Sequence, residues 1–308
     1  MPGLMPSQTG PESWLPWCFL CSWRQQLWKF SSPHRPLPGS LPTKSGIIAS
    51  HFFKESLMPK LVILGSANAI SDPEHENTHM ALLGNEHAVL IDCVSNPLVR
   101  LQQAGLDHHQ ITDVILTHFH PDHVSGFPLL VMNMWLLGRK RPLNVYGLHH
   151  TLQRVEALMD FYEWNKWPKF FPVVFHHLPQ VENIIVMQTP EFEISASPVR
   201  HLVPTIGLRI HFHRQDKTLV YSCDTEPCPA VVEMAAGADV LIHEASGAGL
   251  GHSSASQAGS VARQAEVGRL FLIHYPTRGA DTSQLVQEAQ RTFGGQVALA
   301  EDFMTLEF

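Results

Sequence analysis

Six consecutive residues, from His118 through His123 in THFHPDHVSG, carry three imidazoles and a carboxylate. Side chains this costly to bury cluster so densely when they share a ligand, and neutral imidazole with carboxylate suits zinc and several other divalent metals. His118 and His120 stand on alternate positions and can grip one ion, while Asp122 and His123, in a turn begun by Pro121, can face a second. One loop thus offers two adjacent half-sites. A structural zinc closes four ligands around itself, so a catalytic pair needs donors from elsewhere in the chain.

Such donors follow predicted strands. His201 comes after residues 192–199, Asp224 after 218–223, His243 after 238–242 and His274 after 268–273. Side chains projected from neighbouring strand ends converge on one edge of a sheet. A lone histidine after a strand is more often a structural residue, and Asp224 in SCDTEP also suits a turn or a helix N-cap. The six-residue cluster shifts the balance toward ligands. Asp113, just before the strand leading to the cluster, fits either the orienting of a histidine or plain solvation.

The elements that must position these groups are readable from periodicity. LVILG at 61–65 is a buried first strand, and residues 80–84 and 88–92 are strands joined around Asn85 and Glu86. Residues 97–106 read as a helix stopping near Gly105, 113–117 as the strand delivering the cluster, and 127–138 and 151–164 as helices. Strands are expected at 184–188, 192–199, 205–213, 218–223, 238–245 and 268–274, with helices at 254–265 and 282–293. This order suits mixed sheets with helices outside better than an all-parallel sheet.

Residues 1–57 differ in texture, with Trp14, Trp17, Trp23 and Trp28 scattered among Pro and Ser. They are expected to be an N-terminal extension, either disordered and preceding a true start at Met58 or a mobile interaction arm; the folded domain is placed at 59–308. The apolar run WLPWCFLCSW is too short to span a bilayer. At 308 residues and 44% hydrophobic content the chain can build a substantial core, and its net charge of -7 argues against a broadly basic nucleic-acid surface. Cys18, Cys21, Cys93, Cys223 and Cys228 form no disulfide framework, which points to a reducing compartment such as the cytoplasm. Cys18-x-x-Cys21 lacks a second pair and reads as incidental.

The ordered set His118, His120, Asp122, His123, His201, Asp224, His274 resembles the signature of the metallo-β-lactamase superfamily, over roughly residues 59–308. The resemblance implies an α+β fold, a four-layer αββα sandwich with the metals on one edge. Within the superfamily LGSANAISDP, PVRHLVPTIGLRI, YSCDT, LIHEASGAG and GHSSASQAG are similar to segments of the ribonuclease Z-like branch, the tRNA 3′-end endonucleases. That likeness implies two zinc ions, one held by His118, His120 and His201, the other by Asp122, His123 and His274, with Asp224 bridging. It also places His243 beside the substrate phosphate.

Paired zinc ions lower the pKa of a shared water and clamp both oxygens of a phosphodiester. Asp122 would then take the proton, and His243, with Glu244 beside it, would protonate the departing oxygen; its alternative is a residue that supports the ligands from behind or a core residue. His252 is the weaker candidate, since its serine neighbours suit a helix entry. The likeness further implies a homodimer and precursor tRNA as partner.

Two departures bear on substrate. No glycine occurs between Gly147 and Gly207, so the Gly-rich basic arm of ribonuclease Z is expected to be absent. In its place FYEWNKWPKFFPVVF is either packing surface or an aromatic lid. The final motif is IHYPTRG rather than the His-Phe-Ser type. A zinc-dependent phosphodiesterase is therefore expected; the alternative is a small-molecule hydrolase of the same fold acting on a cyclic nucleotide, sulfate ester or lactone. A di-iron oxidoreductase or a metal-binding scaffold fits the donor set less well.

Overall fold

A computed structural model describes residues 58–308. The expected extension at 1–57 lies outside the described residues.

Strands β1 (Lys60–Gly65), β2 (His79–Leu83) and β3 (Ala88–Ile91) form a meander that leads into helix α1 (Pro97–Gln103). Strand β4 (Asp113–Ile115), short helix α2 (Pro121–Val124), helix α3 (Phe127–Leu136), strand β5 (Leu143–Leu148), helix α4 (His149–Phe161) and strand β6 (Val173–Leu178) follow. A second meander comprises β7 (Ile184–Gln188), β8 (Phe192–Val199), β9 (Thr205–Phe212) and β10 (Lys217–Tyr221). Helix α5 (Pro229–Ala235), β11 (Val240–Glu244), α6 (Ala255–Gln264), β12 (Arg269–Ile273), α7 (Thr282–Phe293) and β13 (Gln296–Leu299) alternate after it. Strand β14 (Thr305–Glu307) returns to the first sheet.

The two sheets are mixed, as the order of elements implied. One runs β14-β1-β2-β3-β4-β5-β6 and the other β13-β12-β11-β10-β9-β8-β7. In each, the meander pairs antiparallel and the β-α-β portion pairs parallel, as β3 with β4 and β10 with β11. Both faces of each sheet are covered, which is why the strands read as continuous apolar runs. Leu61 and Ile63 of β1 meet Ile206, Leu208, Ile210 and Phe212 of β9 between the sheets. Val62 and Leu64 point the other way, into a layer shared with Phe127, Leu130 and Leu152 from α3 and α4. Leu241, Leu270 and Leu272 likewise face Val231, Ala258 and Ala289 from α5, α6 and α7. The result is helix, sheet, sheet, helix: the four-layer αββα sandwich.

Most of the aromatic segment is packing surface and leads into β6, while Phe161 and Tyr162 stand exposed. Trp164, Trp167, Phe170 and Phe175 pack on the outer face of the first sheet, Trp167 stacks on Trp135 at 4.9 Å, and Trp135 Nε1 donates to Pro168 O. Among the described residues no helix is long and apolar enough to cross a membrane.

Candidate metal centre

Strands β4, β8, β10 and β12 end at the same edge of the sandwich. Each is short or capped by an abrupt turn, so the next side chains leave the sheet and point across the edge. Residues 118–126 are pinned beneath by backbone bonds from Cys93 N to His123 O and from Gly126 N to Cys93 O. A Cβ on Gly126 would lie 2.6 Å from Val94 O, so only glycine lets the loop close this tightly.

The seven expected donors come together. His118 Nε2 lies 3.0 Å from His120 Nδ1, and His201 Nε2 lies 3.2 Å from that same atom. Beside them, His274 Nε2 is 3.4 Å and His123 Nε2 3.6 Å from Asp122 Oδ2. Asp224 Oδ2 joins the sets: 3.9 Å from His118 and His201, 3.5 Å from His123 and 3.4 Å from His274. Two ligands about 2.0–2.1 Å from a tetrahedral ion sit roughly 3.3 Å apart, so these spacings are those of ligand edges. Asp224 is not the helix cap the sequence also allowed, since the residue capping α5 is Cys228.

Three of the remaining ring nitrogens are committed elsewhere. His123 Nδ1 bonds Asp92 Oδ2 at 2.8 Å, His201 Nδ1 bonds Gly251 O at 2.7 Å, and His118 Nδ1 faces Thr117 Oγ1 at 3.1 Å. Fixing the proton on one nitrogen leaves the other free as a metal-facing lone pair. His123 Nε2 and Asp224 Oδ1 are buried without a hydrogen-bond partner, a cost ordinarily avoided unless an ion completes the site. The donor set therefore fits two divalent cations.

Charge balance in the protein alone makes the same point. Burial pushes the imidazoles of His118, His120 and His201 toward the neutral form that binds metal. Burial acts on His123 in the same direction, yet Asp224 and Asp92 outweigh it and raise its pKa well above the ordinary value. Burial opposes ionisation of Asp224 too, but His274 and His123 hold its carboxyl well below the usual range. A cation is wanted between these carboxylates.

The structure corrects one expected placement. His243 is fully buried, with Nδ1 bonded to Glu244 O at 2.8 Å, and burial lowers its pKa. It shares a strand face with Leu241, which packs under the outer helices, whereas Ile242 faces the inter-sheet core. The imidazole at the centre is His252. Its Nδ1 lies 3.0 Å from Glu244 Oε1, its ring stacks on His274 at 5.7 Å, and it groups with His201 and Asp224 within 4.8 Å. The serine reading was also right: Ser254 caps α6 in a capping box with Gln257.

One further residue was missed, and Glu244, read from the sequence beside His243, takes a different partner. Asp92, at the end of β3, accepts from Thr117 N and Oγ1 as well as from His123; a carboxylate closing a buried strand was the available signal. Glu244 anchors His252. Asp113 orients His87 and Asn144 at the opposite end of β4, away from the centre. Tyr275, the altered residue after His274, is buried and donates to Ala300 O.

The architecture recurs in solved proteins. The metallo-β-lactamase fold protein YhfI from Bacillus subtilis superposes with a TM-score of 0.68 at 22% identity, covering 82% of this chain and 100% of that one. The short form of human tRNase Z gives 0.66 at 23% identity, covering 80% and 98%. Ribonuclease Z of Methanothermobacter thermautotrophicus is 26% identical over 306 residues, 81% of this chain and 97% of that protein. The fold is that of the metallo-β-lactamase fold proteins, and the sequence is similar to ribonuclease Z. Residues 59–297 match the family described as Anti-Pycsar protein Apyc1, and the chain belongs to that family.

Proposed function

We propose that the protein is a binuclear zinc-dependent phosphodiesterase of the ribonuclease Z type. The observation that carries this reading is the position of Asp224 Oδ2, within 3.9 Å of His118 and His201 on one side and 3.5 Å of His123 and 3.4 Å of His274 on the other. With both ions bound, such a centre activates water and neutralises charge on the oxygens of a phosphodiester.

The chain's own groups divide the remaining work. His118, His120 and His201 would hold one ion and Asp122, His123 and His274 the other, with Asp224 available to both. Asp122 accepts the proton of the attacking water: burial opposes its ionised form, but His274 and His123 pull its pKa below the ordinary value. His252 donates a proton to the departing oxygen. Its hydrogen bond to Glu244 outweighs burial and raises its pKa, which favours the protonated form a donor needs.

Relatives named ribonuclease Z and a neighbour named tRNase Z support an RNA substrate, here proposed to be precursor tRNA, and a cytoplasmic homodimer is part of the same proposal. A second reading, a small phosphodiester such as a cyclic nucleotide, is favoured by the segment 149–178, which forms α4 and β6 packed on the sheet. The net charge of -7 points the same way. Zinc-loaded protein assayed with precursor tRNA and with bis(p-nitrophenyl) phosphate separates them. A matured tRNA 3′ end selects the first, hydrolysis of the small diester alone selects the second, and no turnover of either overturns both.

A further inference from the structure

Three glycines in five residues, Gly247, Gly249 and Gly251, lie in the loop between β11 and α6. A glycine backbone has little preferred conformation of its own, so the place of this loop is set by what holds it. At Gly251 the hold bears on the centre, because Gly251 O accepts from His201 Nδ1 at 2.7 Å. That bond keeps the proton on Nδ1 and leaves Nε2 as a lone pair among the donors.

The same glycine is gripped from its other side by a different loop. Gly251 N donates to Glu226 Oε1 at 2.9 Å. Glu226 follows Asp224 by two residues, and its own N–H donates to Arg200 O at 2.8 Å, in an isolated antiparallel bridge between these two residues. Its second oxygen lies 4.0 Å from Arg200 Nη1. Glu226 thus ties the residue before His201 to the residue that bonds the His201 ring.

The fit around Gly251 is close. Its φ is +81°, and a Cβ there would lie 2.8 Å from His201 Nδ1 and 3.3 Å from Cε1. Backbone and ring are in contact, so a turn of the Gly251 peptides displaces the ring or breaks its bond. A carboxylate accepting the N–H opposes that turn, and hydrogen bonds to an ionised partner are among the stronger ones.

We propose that Glu226 is a positioning residue for the ion that His118, His120 and His201 would hold: acting through Gly251, it keeps His201 in the orientation and tautomer that bind metal. The inference rests on the two-metal reading. The backbone bridge between Arg200 and Glu226 needs no carboxylate, and the Glu226 side chain is 28% exposed, so it can be replaced with the fold kept.

Competition between metal-free protein and a zinc-sensitive dye reads this without turnover. Glu226→Ala is expected to weaken one of the two zinc steps about ten-fold. Glu226→Gln, which keeps an oxygen to accept from Gly251 N, is expected to stay within about three-fold of the native chain. Gly251→Ala, which forces a Cβ against the ring, weakens the same step as Glu226→Ala, whereas Asp92→Asn, acting through His123, weakens the other. A merely structural Glu226 would lower Tm and leave both zinc affinities unmoved, and that result overturns the inference. So does equal weakening of both steps, or a glutamine variant as weak as the alanine one. A native chain that binds no zinc removes the two-metal reading and the inference with it; two native steps unmoved by Glu226→Ala remove the inference alone.

Discussion

Glu244 Oε1 lies 3.0 Å from His252 Nδ1. The same fully buried carboxylate accepts the N–H groups of Thr225, Ser246 and Ser253. One side chain at the end of β11 thus fixes the loop after Asp224, the loop bearing Leu250 and the ring of His252. A group so held makes a better proton donor than a free surface imidazole, because its orientation costs nothing further on reaction.

The two histidines near this carboxylate should behave differently. His252→Asn is expected to lower kcat by about 10²- to 10⁴-fold with zinc retained. His243→Asn, which alters a buried ring bonded to Glu244 O, is expected to cost about 1–3 kcal/mol of stability and little kcat. Steady-state kinetics with urea denaturation distinguish them, and the opposite pattern would return the donor role to His243.

Asp224→Ala removes the carboxylate common to both donor sets. Zinc content, measured by plasma emission after gel filtration, is expected to fall from two equivalents toward none, and activity with it. Retention of both ions would remove the bridge.

Asp92 is not one of the seven donors but holds Nδ1 of His123 at 2.8 Å. Asp92→Asn keeps the shape and loses the charge, so the affinity of one of the two zincs is expected to weaken about 10- to 100-fold. Competition with a zinc-sensitive dye resolves the two binding steps; unchanged affinity for both would make Asp92 a purely structural residue.

His79 gives a pH signature separate from catalysis. Burial lowers its pKa from 6.5 to about 4, so the unfolded chain takes up a proton near 6.5 while the folded chain resists until about 4. Its contribution to stability is complete above that range and is lost as pH falls through it, to the extent of about 3 kcal/mol. Urea unfolding at pH 7.5 and 4.5, with chelator present, is expected to show a smaller acid loss for His79→Leu than for the native chain. Equal losses would contradict the assignment.

Much of this was legible in the sequence for a physical reason: metal donors are chemically distinctive, and the strands that carry them are apolar on both faces. His118, His120, Asp122, His123, His201, Asp224 and His274 all arrive at one edge. Parity misled the reading of His243, since one residue's step along β11 turns a side chain from the inter-sheet core to the helices. Asp92 escaped because the histidine it touches lies 31 residues on, and Glu244, read beside His243, meets His252 across a loop. β5 and β6 were missed through a glycine at 147 and a run of rings at 170–175, and β14 because an edge strand of Thr305–Glu307 has too little pattern.

The central claim is that two ions, bridged by Asp224, make the hydrolytic centre. Turnover of bis(p-nitrophenyl) phosphate during stepwise addition of zinc to metal-free protein tests it most directly. Activity is expected to stay near background through the first equivalent and to rise to its maximum as the second binds. Full activity at one equivalent, or none at two, would contradict it.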